Sequence, residues 1–116
     1  MFDSESSDVK ENINENAKEL ILLNVIYTVK DGKREEFYNQ LCDKKIILKS
    51  RSEEGNLKYD YFFPVDNAND ILLLEIWADT EAQQLHSLTP HFLELQELKK
   101  QYIINVKIDK FICKTI

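Results

Sequence analysis

The 116-residue sequence is poor in glycine, proline and cysteine, with only two of each. Two glycines cannot supply the glycine-rich loops that cradle phosphates, and neither G-x-G-x-x-G nor G-x-x-x-x-G-K-[ST] occurs. Cys42 and Cys113 lie far apart in the chain, which argues against a disulfide framework or a zinc ribbon and favours a reducing cytoplasm. We expect both to act as small hydrophobic residues. No apolar run approaches the roughly 18 residues of a membrane span.

Positive charge is also scarce, since 15 Lys and Arg residues stand against 21 Asp and Glu residues, for a net charge of −6. Nucleic acids and anionic membranes are bound by clustered bases, so we expect neither as a partner. Residues 1–19 carry −4 of the net charge together with several serines and asparagines. We therefore predict a flexible acidic tail over 1–19 and one folded domain over 20–116, long enough to bury a core without a disulfide or a metal.

Hydrophobic periodicity predicts four strands and three helices after the tail. The first helix has Phe37, Leu41 and Leu48 on one stripe, and Gly55 is expected to end it. The predicted elements are, in order, strand Leu20–Lys30, helix Lys33 to about Ser52, strand Asn56–Val65, strand Ile71–Ala78, helix Asp79 or Thr80 to Leu88, helix Thr89–Pro90 to about Gln101, and strand Ile103–Ile112. This order predicts an α+β ferredoxin-like β-α-β-β-α-β fold with an antiparallel four-stranded sheet.

Two of the predicted strands are apolar on both sides. The helices of such a fold cover only one face of the sheet, and a large apolar face left in water is unusual for a monomer. The residues expected on the uncovered face are Leu22, Ile26, Leu72, Leu74 and Ile76. We therefore predict a homodimer in which two copies pack sheet against sheet through the same surface.

One stretch of the sequence is distinctive. Residues 75–92 contain E-x-W-x-D-x-x-A-x-x-x-H followed by T-P-H-F, residues 53–59 read E-x-G-x-x-x-Y, and residues 29–37 form a strand, turn and helix start. In this order the segments resemble the antibiotic biosynthesis monooxygenase-like family from about Leu22 to Phe111. The resemblance implies a dimeric α+β barrel of ferredoxin-like subunits. It also implies one of three activities: cofactor-independent oxygenation of quinols and phenols, heme degradation, or isomerisation of small phosphorylated sugars.

Three residues are candidates for proton transfer or for positioning the substrate. His86 follows the tryptophan strand and can act as a base or an acid near neutral pH, or else form a structural hydrogen bond at a helix end. Glu75 shares a strand face with Trp77, where burial would raise its pKa and let it move protons, unless it is held in an ion pair. His91 follows the proline that opens a helix and is expected at the rim of a cleft or as a polar helix-start residue.

Aromatic side chains are the candidates for holding a planar substrate, although each also suits the core. They are Trp77, Tyr27, Tyr59 and Tyr61. Asn24 is a polar residue in an apolar strand, so it should pair with the substrate or with a neighbouring chain. By alternation it falls on the face opposite Tyr27, at the predicted dimer interface, which counts against heme degradation.

We expect no metal and no cofactor. Thr89 and Pro90 restart the helix between His86 and His91, so the two histidines lack the spacing of a helical zinc site. The predicted function is a cofactor-independent monooxygenase in which His86 or Glu75 deprotonates a small quinol, phenol or enol, which then reacts with dioxygen. The alternatives are an isomerase that uses the same proton transfer, and a non-catalytic dimeric binding or stress-response module.

Overall fold

The computed structural model describes residues 18–116, so nearly all of the predicted acidic tail lies outside the described residues. Within these residues the chain forms four strands and four helices. They are β1 (Leu20–Val29), α1 (Arg34–Asp43), α2 (Ile46–Arg51), β2 (Asn56–Phe62), β3 (Asp70–Trp77), α3 (Thr80–His86), α4 (Pro90–Tyr102) and β4 (Ile103–Cys113). Within residues 18–116, no helix has the length and apolar character needed to cross a membrane.

The strands form one antiparallel sheet in the order β2-β3-β1-β4, which confirms the predicted ferredoxin-like α+β fold. In β1 and β3, alternate side chains are buried against the helices. Phe37 and Leu41 of α1 and Leu95 and Leu98 of α4 complete this core. The opposite sheet face carries the five residues predicted to be uncovered, and among the described residues no helix packs on it.

The first helical region differs from the prediction, because it is two helices and not one. Lys45 adopts a left-handed backbone conformation with φ of 58° and breaks the helix between α1 and α2. The restart turns Ile46 and Ile47 into the core, whereas Leu48, predicted on the buried stripe, is 62% exposed. Burying two adjacent isoleucines in place of one leucine offsets the cost of the left-handed residue. Cys42, predicted as a small hydrophobic residue, is exposed.

The second strand is also less regular than its alternating sequence suggests. Asn56 pairs with Trp77 and Lys58 pairs with Ile76, so Leu57 is an extra residue at a bulge. Leu57 is 57% exposed, although alternation placed it on the same face as Tyr59. Beyond the bulge the register is regular, and Tyr59 lies opposite Glu75 on the helix-covered face.

Candidate active site

A cavity of about 270 Å³ lies between the helix-covered face of the sheet and the two C-terminal helices. Strand β1 contributes its floor, α3 and α4 one wall, and β4 the opposite edge. Its lining residues are Leu23, Val25, Tyr27, Glu75, Gln83, His86, Ser87, Phe92, Lys99, Ile108 and Lys110. Three of the residues predicted from the sequence, His86, Glu75 and Tyr27, therefore meet in one cavity.

Glu75 is a buried carboxyl group, only 7% exposed, on the cavity side of β3. Burial raises its pKa to about 7, although a hydrogen bond from Trp77 and the positive charge of Lys99 oppose the rise. Trp77 Nε1 donates to Glu75 Oε1 over 3.0 Å. At neutral pH this side chain is divided between its protonated and ionised forms, so it can both donate and accept a proton.

His86 and His91 converge on the side chain of Glu53. Glu53 Oε2 lies 2.5 Å from His86 Nδ1 and 2.8 Å from His91 Nε2. A carboxylate only accepts, so both nitrogens carry hydrogen and donate to it. This assigns His86 as the Nδ1–H tautomer and leaves its Nε2 as a free base, since no described side chain bonds to that nitrogen.

Local structure brings these three residues together from separate segments. Asp79 caps α3 by accepting from the backbone N–H of Ala82 over 2.8 Å. Thr89 caps α4 by accepting from the Phe92 N–H, and its hydroxyl donates to the carbonyl of His86, so one residue ties the end of α3 to the start of α4. The turn between the two helices therefore directs both imidazoles toward Glu53.

Gly55 holds the Glu53 segment against α3. A Cβ atom at Gly55 would lie 2.2 Å from the Cβ of Ala82, so any larger residue would push the segment away from the helix. The prediction that Gly55 ends the first helix was wrong, because α2 ends at Arg51. The glycine is required for this close approach.

His86 sits in an aromatic enclosure and is only 4% exposed. Its ring lies 4.6 Å from Trp77, 5.3 Å from Phe92 and 5.7 Å from Tyr59, measured between centroids. Burial lowers the pKa of His86, and the hydrogen bond and charge of Glu53 only partly offset that effect. The imidazole is therefore neutral at pH 7 and available as a base.

The Glu53, His86 and His91 side chains are also the set of described residues in which metal-ligating atoms cluster, all within 4.8 Å of one another. The helix restart removes the i,i+4 spacing, as predicted, but the two histidines still converge because both approach Glu53. Ligands about 2.0–2.1 Å from a tetrahedral ion stand about 3.3 Å apart. The 2.5 and 2.8 Å separations are shorter and are those of hydrogen bonds, so this geometry fits a hydrogen-bonded cluster better than a metal centre.

The other predicted substrate-binding residues do not line the cavity. Trp77 is fully buried and packs behind His86 and Glu75, so it positions both groups. The hydroxyl oxygens of Tyr59 and Tyr61 lie 3.3 Å apart, and burial raises the pKa of both, which keeps them neutral. Asn24 pairs with Leu74 and Asp109 on the opposite sheet face, away from the cavity, as alternation predicted.

Three residues of the site were not among the predicted candidates: Glu53, Lys99 and Lys110. Glu53 had a signal, because it is the first residue of the E-x-G segment, but its partners come from 33 and 38 residues further along the chain. Lys99 and Lys110 had no comparable signal among the 15 basic residues. A larger open cleft of about 680 Å³ lies near Glu53 and is lined by acidic residues, but neither histidine lines it.

Comparison with known proteins agrees with this architecture. The sequence matches the family described as "Antibiotic biosynthesis monooxygenase" over residues 20–98. It is 40% identical over 73 residues to "Putative monooxygenase YcnE" from Bacillus subtilis, spanning 63% of this chain and 75% of that protein.

Solved structures are similar over most of the chain. The structure of PA3566 from Pseudomonas aeruginosa superposes with a TM-score of 0.75 at 27% identity, covering 83% of this chain and 95% of that one. A protein from Nitrosomonas europaea shares the fold, with a TM-score of 0.71 at 21% identity, covering 78% of this chain and 95% of that one. The match of the family over most of the chain, together with the ferredoxin-like sheet, shows that this protein belongs to the antibiotic biosynthesis monooxygenase family.

Proposed function

We propose that this protein is a cofactor-independent monooxygenase that acts on a small quinol, phenol or enol in the 270 Å³ cavity. The observation that carries the proposal is His86, a buried neutral imidazole held by Glu53 at Nδ1 with Nε2 left as a base. A base held in this way by a carboxylate is oriented for proton abstraction and stabilised once it becomes charged.

In the proposed reaction His86 Nε2 takes a proton from the substrate, whose ring oxygen spreads the resulting negative charge. The carbanion then transfers its electrons to dioxygen and forms a carbon–oxygen bond, which gives a peroxide that is protonated. When the attacked carbon carries a second hydrogen, loss of water leaves a carbonyl. The net change is CH₂ plus O₂ to C=O plus H₂O, with the substrate as the only reductant.

The cavity walls suit this chemistry. Leu23, Val25, Phe92 and Ile108 offer apolar surface to a ring, and Glu75, with a pKa of about 7, can protonate the peroxide or a ring oxygen. Exclusion of water from an apolar cavity protects a carbanion from simple reprotonation. Trp77 contributes by fixing Glu75 and His86 and not by touching the ring.

Oxygen consumption with a menadiol-type naphthoquinol tests the proposal. We expect uptake above the autoxidation rate and a loss of at least 100-fold in kcat for His86→Gln, since general-base catalysis contributes about 10² to 10⁴. Gln84→Ala, an exposed change on the same helix, is the matched control and should keep wild-type activity. Equal uptake by wild type and His86→Gln would refute the proposed base.

An isomerase is the second candidate, and the presence of both His86 and Glu75 at one cavity favours it. Burial leaves one group as a neutral base and the other as a partly protonated acid in the same cavity, which suits proton transfer between adjacent carbons. Isomerisation would proceed without oxygen. Substrate conversion in an anaerobic chamber therefore distinguishes the two functions.

We also propose that two copies pack through the uncovered sheet face, as the sequence predicted. Phe62 and Phe111, 45% and 54% exposed, lie beside Leu72 and Leu22 on that face and extend its apolar surface. An apolar patch spanning four strands is the kind of surface that a second subunit covers. The predicted cytoplasmic location stays a prediction, tested by fractionation of cells that express the protein.

A further inference from the structure

Two lysines at the active-site cavity lack a carboxylate partner. Lys99 and Lys110 both line it, and within residues 18–116 neither ammonium group lies within 4.0 Å of an acidic oxygen. Four other lysines of the same region, Lys33, Lys49, Lys58 and Lys100, are paired in this way. Two ammonium groups without a close carboxylate therefore lie at the same cavity.

Lys99 is held in place at the cavity. It comes from α4, is half-buried, and donates from Nζ to Gln96 Oε1 over 2.9 Å. Its ammonium group also lies 5.2 Å from the centre of the Tyr27 ring, close enough for a cation–π contact. Both contacts restrain the ammonium group without neutralising it, so its charge stays available to a ligand.

Lys110 approaches from the other side. It lies opposite Leu23 in the β1–β4 pairing, which places it on the helix-covered face of the sheet beside the cavity. It is exposed and forms no hydrogen bond with the described residues. The two lysines thus reach one cavity from a helix and from the edge strand.

The remaining charge of the cavity does not cancel these ammonium groups. Glu75 is its acidic lining residue and is partly protonated at neutral pH, because burial raises its pKa to about 7. His86 is neutral there because burial lowers its pKa. A cavity with two ammonium groups, one partly protonated carboxyl and apolar walls attracts a molecule that has both a ring and a negative charge.

We propose that Lys99 and Lys110 form an anion-binding subsite and that the substrate is a small aromatic hydroxy acid. Its carboxylate binds the two lysines, and its ring lies on the apolar wall with the hydroxyl or enol toward His86. At about 270 Å³ the cavity is slightly smaller than the pockets of about 300–1,000 Å³ that hold drug-sized ligands, so it suits one ring or a fused pair. This inference rests on the proposed function, because it names the substrate class of the same site.

Equilibrium binding tests the subsite without relying on turnover. The probes are 4-hydroxybenzoate, the neutral 4-hydroxybenzyl alcohol, the cationic 4-hydroxybenzylamine and phenyl phosphate, measured by calorimetry with the full chain. We expect the carboxylate to bind at least tenfold more tightly than the alcohol and the amine. Salt at 0.5 M should remove most of that difference, since the lysines are partly open to solvent. Tighter binding of phenyl phosphate than of the carboxylate would overturn the assignment to a hydroxy acid.

Matched variants test whether the preference for the carboxylate depends on Lys99 and Lys110. Lys99→Gln and Lys110→Gln should each weaken binding of the carboxylate about tenfold and leave binding of the alcohol unchanged. Lys100→Gln, next along α4, and Lys114→Gln, just beyond β4, should change neither.

The outcomes separate this inference from the proposed function. Equal binding of carboxylate and alcohol, or no binding of either, overturns the anion subsite whatever oxygen uptake shows. Selective carboxylate binding that depends on Lys99 and Lys110, in a protein that consumes no oxygen, supports the subsite and refutes only the monooxygenase.

Discussion

Replacing Glu53 by glutamine separates the two effects that this carboxylate has on the histidines. One oxygen, Oε2, accepts from both His86 and His91, and the carbonyl oxygen of a glutamine has the two lone pairs needed to do the same. Glu53→Gln therefore keeps both hydrogen bonds and removes the negative charge, whereas Glu53→Ala removes both. The pair of variants measures the charge and the geometry independently.

The expected magnitudes follow from the geometry. A hydrogen bond to a charged group contributes about 1.5–3 kcal/mol and a neutral one about 0.5–1.5 kcal/mol, so removing the charge costs about 1.5 kcal/mol when His86 becomes protonated. That cost corresponds to about a tenfold fall in kcat for Glu53→Gln. Glu53→Ala leaves N–H groups without an acceptor on rings that are 4% and 7% exposed, which lowers the free energy of unfolding by about 2–6 kcal/mol.

Nitrogen-15 NMR of the imidazoles is the assay, because His86 and His91 are the only two histidines of the chain. We expect opposite tautomers, Nδ1–H for His86 and Nε2–H for His91. Glu53 raises the pKa of His86, so Glu53→Gln should lower that pKa further, and Glu54→Gln, an exposed neighbouring change, should leave it unchanged. Two Nε2–H tautomers, or an unchanged His86 pKa in Glu53→Gln, would refute the reasoning.

Four further predictions follow from the described contacts. Burial raises the pKa of Glu75 from 4.5 to about 7, so the protonated side chain stabilises the fold below pH 4.5 and this stabilisation is lost as the pH rises through 7. In urea unfolding, Glu75→Gln should therefore be more stable than wild type by about 3 kcal/mol at pH 8, and by a smaller margin at pH 5. Gly55→Ala should lower the free energy of unfolding by about 1–3 kcal/mol, and Ala82→Gly should restore part of that loss. A Gly55→Ala protein as stable as wild type would contradict the close approach of Gly55 to Ala82. Light scattering should give the mass of a dimer for wild type and for Leu88→Glu, and the mass of a monomer for Leu74→Glu. A wild-type mass of 13.7 kDa would exclude the dimer. Dialysis against EDTA should leave oxygen uptake unchanged, since the histidine cluster has hydrogen-bond spacing, and a loss restored by a divalent metal would contradict that interpretation.

The sheet was predictable from the sequence because its signals are local. Apolar runs bounded by turn residues mark β1 and β3, and the structure buries every second side chain of both strands. The signal for the start of α4 is also local, since Thr89 caps the helix and Pro90 is its first residue, as the sequence predicted. Elements whose pattern and boundary residues agree were therefore placed within a few residues.

The misplaced parts depend on interactions across the fold. A single helix over 33–52 satisfies local periodicity, but burying both Ile46 and Ile47 requires the break at Lys45. Leu57 obeys alternation until the register with β3 shifts and turns it outward. In each case tertiary packing overrides a local preference of about 1 kcal/mol or less.

The candidate site divides in the same way. His86 and Glu75 were identifiable as candidates from their residue types and positions, since Glu75 shares a strand with Trp77 and His86 lies on the helix that follows that strand. Glu53 was not identifiable as their partner, because only the fold brings it within hydrogen-bond distance of two residues from another segment. Lys99 and Lys110 illustrate the same limit, since only the fold brings a residue of α4 and a residue of β4 to one cavity.

A single physical cause, burial beside an apolar cavity, shifts the pKa values of both groups to which we assign proton transfer. Removal from water disfavours charge, so it raises the pKa of the acid Glu75 and lowers the pKa of the base His86. The result is a neutral base and a partly protonated acid at the same pH, a combination that free side chains with pKa values near 4.3 and 6.5 do not provide. Glu53 and Trp77 then fix one hydrogen bond to each group. Burial and these two hydrogen bonds therefore leave both side chains in the protonation states that the proposed reaction requires, and in the proposed subsite Lys99 and Lys110 bind the charge of the substrate.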